Sequence, residues 1–212
     1  MRAVGARRRL PLVVERGLAS TRLAKATLSE TFALKVGLDS TTCRKGCSHC
    51  CSYPVAISLW EGLTLYEGLK ADGLWTTDLR LELERHSRLT FGTAPEIWLM
   101  AAIPCPLLVS NLCTAHEHRP FRCRVTASSR DPALCRAVHF HALTFEDNQR
   151  EDTEFREVEE RAARASRQYV RGMSERVPLS TAVLIGHRVV EELITLEEIP
   201  LTLLRLLGGG TR

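Results

Sequence analysis

The stretch that decides how this chain is read is Cys43-Arg44-Lys45-Gly46-Cys47-Ser48-His49-Cys50-Cys51, which sets four cysteines in nine residues. All eight cysteines of the 212-residue chain fall between Cys43 and Cys135. Short spacers let one turn of backbone present several sulfurs to a single metal ion, and Gly46 supplies a position able to bend through positive φ. Adjacent cysteines are harder to aim at one ion. Cys50 and Cys51 are therefore expected to differ in role, one on a first metal and the other on a second ion, a bridging position or a redox contact. Downstream lie Pro104-Cys105-Pro106-Leu107-Leu108, then Cys113, then His116-Glu117-His118-Arg119-Pro120-Phe121-Arg122-Cys123-Arg124. A closed zinc site and a four-iron cluster each take four ligands, so the sulfur is in surplus: either two metal centres or some reactive thiols.

Composition narrows the setting. The chain is 44% apolar and 25% charged, as globular proteins are, and no apolar run reaches the roughly 18 residues of a membrane span. A chain this long buries a core without disulfide staples. Arg7, Arg8 and Arg9 are followed only by Leu10-Pro11-Leu12-Val13-Val14 before Glu15, too short for a secretory signal. The Arg-bearing, acid-poor start reads as an amphipathic first helix in preference to an organelle transit peptide. The expected location is the cytoplasm, where clustered cysteines are metal ligands or redox groups rather than disulfides.

Residues 1 to 50 hold ten Lys or Arg against three Asp or Glu, a net of +7, while the remainder carries 19 against 22. This basic segment reads as a solvated helix face rather than a nucleic-acid or anionic-membrane surface, since few aromatics lie near it for base stacking. Arg44, Lys45, Arg119, Arg122 and Arg124 neighbour the cysteines in sequence. They are expected to stabilise thiolates and lower the cysteine pKa values.

Working outward from the cysteine run, Leu18, Leu23, Leu28 and Phe32 fit one face of a helix, with Gly37 a stop before Asp39-Ser40-Thr41-Thr42. On the other side, Ser58 and Glu61 have capping-box spacing, and Leu59, Leu63, Tyr66 and Leu69 form the stripe of a helix ending near Gly73. Leu79, Leu83 and His86 suggest a further short helix, while Pro95 to Met100 fits helix and strand equally. Pro106 to Val109 and Leu112-Cys113 flank Ser110-Asn111 as a small hairpin, and Pro120 with its arginines reads as an irregular loop. Phe155, Val158, Ala162, Ala165, Tyr169 and Met173 step through a long amphipathic helix over about 146 to 176, stopped by Pro178. It reads as a packing element, with a protein-partner face as the alternative. Ser180 to Thr195 and Leu201 to Leu207 read as two more helices, the last closed by Gly208-Gly209-Gly210. The expected fold is mostly α with a small β-hairpin and irregular cysteine-rich loops between helices. It is one domain in three parts: a basic helical extension over 1–42, a metal-binding core over 43–135, and C-terminal helices over 136–212.

Together, C-x3-C-x2-C-C with Pro54, Ser58 and Glu61, then Pro104-Cys105-Pro106-Leu107-Leu108, Cys113 and Glu117-x-Arg119-Pro120-x-x-Cys123-Arg124, resemble the bacterial CxxCxxCC cysteine-cluster family. These are the YkgJ-type proteins, described as zinc- or iron-chelating. The resemblance implies metal ligation by Cys43, Cys47, Cys50, Cys51, Cys105, Cys113 and Cys123. Family members usually carry an aromatic and acidic pair where this chain has Ala115-His116-Glu117, which leaves His116 a spare ligand or a simple substitution. The flagellin lysine methyltransferases resemble the family in their cysteine motif and are associated with an iron-sulfur cluster and S-adenosylmethionine.

The first expectation is thus a metal-binding protein holding zinc or iron. The alternative is an iron-sulfur-dependent enzyme, its 4Fe-4S cluster supporting redox chemistry or S-adenosylmethionine-dependent methyl transfer. Cys43-x3-Cys47-x2-Cys50 also has radical S-adenosylmethionine spacing, but those enzymes need a strand-helix barrel and this chain reads as helical. A zinc-ribbon nucleic-acid binder ranks last, for want of paired C-x2-C knuckles and a basic stripe. His49 reads as a hydrogen-bond donor beside the ligands. His139 and His141 fit surface and ligand roles equally, and Cys135 is a reserve ligand or redox partner. No phosphate-binding loop or serine-histidine-acid order stands out, so no catalytic or cofactor-binding residue is assigned.

Overall fold

A computed structural model of the chain describes residues 12–36, 43–126, 131–135, 176–191 and 193–199. The described helices are α1 (Leu12–Val36), α2 (Leu59–Ala71), α3 (Thr77–Thr90), α4 (Pro95–Ala101), α5 (Phe121–Val125) and α6 (Leu179–Val190). The strands are β1 (Ala56–Ser58), β2 (Leu108–Val109), β3 (Leu112–Cys113) and β4 (Arg176–Pro178), in two antiparallel pairs, β1 with β4 and β2 with β3. The fold is mostly helical, as expected. The sequence reading missed the β1–β4 pair, whose partners are three residues long and more than a hundred positions apart.

Helix α2 is the axis of the molecule. Ser58 Oγ accepts from the Glu61 amide at 3.3 Å and Glu61 Oε2 accepts from the Ser58 amide at 3.2 Å, so the capping box forms. Gly73, at φ +69°, closes the turn beyond the other end. Leu59, Leu63, Tyr66 and Leu69 are buried as the spacing implied, but so are Trp60, Glu61, Thr64 and Leu65. A one-sided stripe cannot account for that. Helices α1 and α6 and the segment around α5 cover the other sides, so α2 is a central helix rather than an amphipathic one.

Strands β1 and β4 run directly into α2 and α6, with Ile57 opposite Val177, and the Leu179 amide donates to the Val55 carbonyl at 2.9 Å. The ribbon thereby sets the two helices side by side, and small residues let them touch. A Cβ on Gly62 would lie 2.3 Å from the Ala182 carbonyl oxygen, and one on Gly186 would lie 2.7 Å from that of Gly62. Helix α1 adds Val14 and Leu18 to the core. Its Gly17 seats the Trp60 indole, which a Cβ there would meet at 2.1 Å. From α3, Leu83 enters the core, and Ser87 shares a 2.7 Å hydroxyl contact with Thr181 of α6.

Several expected boundaries move. The first helix spans Leu12–Val36, wider than the stripe that suggested it, and Lys25 on its supposedly solvated face is buried. Pro95 to Met100, ambiguous in sequence, is helical, with proline at the start where its missing N–H costs nothing. The loop expected around Pro120 tightens into α5, which carries Cys123. The helix expected to reach Thr195 ends at Val190, because Thr195 and Glu198 cap a separate 3₁₀ turn over Leu196–Glu198. Arg176 to Pro178 is strand, not helix end. The remainder of the amphipathic segment from 146, the helix at Leu201 to Leu207, and His139 and His141 lie outside the described residues.

Candidate metal centre

The first cysteine run is a chain of tight turns. The Cys47 amide donates to the Arg44 carbonyl at 2.9 Å around Gly46, which sits at φ +87°, the conformation anticipated for it. The Cys51 amide donates to the Ser48 carbonyl at 2.9 Å, opening a 3₁₀ turn over His49–Ser52. Two bonds fasten this run to the second group. The Cys105 amide donates to the Cys51 carbonyl at 2.8 Å, and Ser48 Oγ donates to Asn111 Oδ1 at 3.0 Å. Asn111 and Ser110 form the β2–β3 turn with positive φ at both positions, as a two-residue type I′ hairpin requires. The expected hairpin is therefore present, and its turn touches the cysteine run.

Of the seven expected ligands, Cys50, Cys105, Cys113 and Cys123 fall within electrostatic reach of one another, with Cys51 beside Cys50. Cys50 hydrogen-bonds through its side chain to Cys51. Cys123 feels the charges of Cys105, Cys50 and Cys113. Cys105 and Cys113 pack at the edge of the apolar core. Each accepts a backbone N–H two residues ahead, from Leu107 and Ala115 respectively, a contact that favours the thiolate. Tyr53 feels Cys135, Cys50 and Cys47, so Cys47 and Cys135 flank Cys50 on the Tyr53 side, and Cys43 is exposed. The Tyr53 hydroxyl donates to the Cys135 carbonyl, bringing that last cysteine alongside the first run.

The expectation of lowered cysteine pKa values is overturned here. Burial pushes the Cys105 thiol up to about 11, against the pull of the Leu107 amide. Burial and then the neighbouring sulfurs raise Cys123, burial raises Cys113, and the Cys51 contact and burial raise Cys50. Arg119 favours the thiolates of Cys50 and Cys113, but one cation does not offset desolvation together with mutual repulsion. Arg119 and Arg124 are spent partly on backbone, donating to the His116 carbonyl at 3.0 Å and the Arg119 carbonyl at 2.9 Å.

Sequence reasoning missed the polar groups beneath the sulfurs. Lys25 of α1 is 8% exposed and donates to Thr64 Oγ1 at 3.1 Å and to the His118 carbonyl at 3.4 Å. Burial lowers its pKa to about 8, while Glu61 and Cys123 act to keep it charged. Glu61 is 5% exposed and its Oε1 accepts from the Phe121 amide at 2.8 Å. Only the capping half of the Glu61 role had a sequence signal. His116 faces Glu117 at 3.1 Å on the surface, and His118 Nε2 lies 2.7 Å from Asp72 Oδ2. The ring of His118 fits against Gly68, where a Cβ would meet it at 2.3 Å.

Among the described residues, no three His, Cys, Asp or Glu side chains already stand in a metal-holding arrangement. The donor set itself suits a soft or borderline cation: several thiols, two with aimed amides, whose mutual repulsion a bound cation would relieve. Among those residues no helix is long and apolar enough to cross a membrane. Compared with known families, residues 42–161 match the model of CxxCxxCC, described as "Putative zinc- or iron-chelating domain". No curated protein and no solved structure matched the chain.

Proposed function

We propose, since this chain belongs to the CxxCxxCC family, that it chelates zinc or iron through Cys50, Cys105, Cys113 and Cys123, with Cys43, Cys47 and Cys51 completing the ligand set. The observation that carries this reading is the bond between the Cys105 amide and the Cys51 carbonyl, 2.8 Å long, which stitches two distant cysteine segments together where their thiols crowd. A bound cation would supply the positive charge that lets these buried thiols shed their protons. The chain's own part is to hold the sulfurs, aim amides at Cys105 and Cys113, and place the Arg119 charge beside Cys50 and Cys113. A reducing, cytoplasmic setting keeps such thiols available.

The finer reading is a 4Fe-4S cluster serving an enzyme. In that reading Cys50, Cys105, Cys113 and Cys123 alone hold the cluster, and Cys43, Cys47, Cys51 and Cys135 are left as thiols for redox chemistry beside it. The division of the ligand set is tested by metal stoichiometry in single variants. Cys123→Ser is expected to lose most bound metal, and Cys135→Ser, whose carbonyl rather than whose sulfur is held by Tyr53, to keep it. Equal loss in both would place Cys135 among the ligands and move the boundary of the site.

A further inference from the structure

An ordinary capping-box glutamate spends one oxygen on its own helix start and leaves the rest in water. Glu61 does more. Oε2 accepts from the Ser58 amide at 3.2 Å, seven residues after Cys51, and Oε1 accepts at 2.8 Å from the amide of Phe121, two residues before Cys123. Glu61 is 5% exposed, and Lys25, itself buried, reaches Thr64 on the same helix from α1. A single buried side chain thus ties the segment after the first cysteine run to the segment bearing Cys123. Such a buried carboxylate is costly unless each oxygen is bonded, and here each is.

We propose that Glu61 is the positioning residue of the metal centre, its two oxygens setting Cys123 in register with the Cys43–Cys51 run. The inference rests on the chelating reading above. It assigns Glu61 no place on the metal: it acts through Cys123, as groups behind metal ligands fix their orientation. Glu61→Gln keeps a carbonyl acceptor for the Phe121 amide but turns an N–H₂ toward the Ser58 amide, whereas Glu61→Ala removes all three bonds to the carboxylate, the one from Ser58 Oγ included.

The test is cobalt(II) titration of metal-free protein, read by the thiolate-to-cobalt charge-transfer band, with folding followed by circular dichroism. Binding is expected to weaken about tenfold in Glu61→Gln and up to about a hundredfold in Glu61→Ala, with the band altered in position or intensity. Folded variants with wild-type affinity and an unchanged band overturn the proposal, whatever their melting temperature. Should Glu61→Ala not fold, Glu61→Gln decides by the same criteria. A wild-type protein that takes up no cobalt overturns the chelating reading itself, and this inference with it.

Discussion

His86 illustrates how much one side chain can say about the solution behaviour of the whole chain. It is 2% exposed, its Nδ1 lies 3.0 Å from Ser180 Oγ of α6, and its ring meets Trp98 of α4 edge-on. Its Nε2 has no hydrogen-bond partner among the described residues. Burial, helped by the charge of Arg85 and opposed by that of Glu82, lowers its pKa from 6.5 to about 4. Above pH 6.5 the ring is neutral in both folded and unfolded chains. As the pH falls toward 4 the unfolded ring takes up a proton that the folded ring refuses, so stability declines, by about 3 kcal/mol once both are charged. Urea unfolding across this window is expected to show a steeper fall in wild type than in His86→Asn; parallel slopes would contradict the assignment. At this scale the clustering of the cysteines was readable, and the resemblance named Cys105 and Cys123 as candidates, but Lys25, Tyr53 and the second oxygen of Glu61 act through contacts between distant segments that leave no mark in the sequence.

At the scale of elements, local signals were readable where the chain spends a dedicated residue on them. Ser58 and Glu61 start α2, and Ser110-Asn111 make the β2–β3 turn, each through a bond or dihedral set within a few residues. Signals failed where tertiary packing decides. The stripe on α2 gave no hint of burial all round, and Gly62 carried no sign that α6 passes against its backbone. That close passage makes a prediction. Gly62→Ala sets a methyl 2.3 Å from backbone that cannot swing aside, and is expected to cost about 1–3 kcal/mol. Gly73→Ala has open space and pays only for its φ of +69°, about 1 kcal/mol. Denaturant midpoints that rank Gly73→Ala as the more harmful would mean that α2 and α6 are farther apart than described.

At the scale of the molecule, two strand–helix units joined by the β1–β4 ribbon form the core, and the cysteine segments are laid across its edge. Cys105 and Cys113 pack against that edge, so the proposed centre is contiguous with the core. A metal bound there is expected to couple to folding. Composition and the cysteine window pointed to this chemistry from the outset, whereas burial of Lys25 showed that the basic N-terminal segment is not only a solvated face. The most direct measurement is elemental analysis with an optical spectrum on the 212-residue chain purified without oxygen. The account predicts zinc or iron bound per chain at one or more equivalents: colourless if zinc, brown with acid-labile sulfide if an iron-sulfur cluster. Protein that is folded, with all eight cysteines reduced, yet carries neither metal and takes up neither on addition would contradict it.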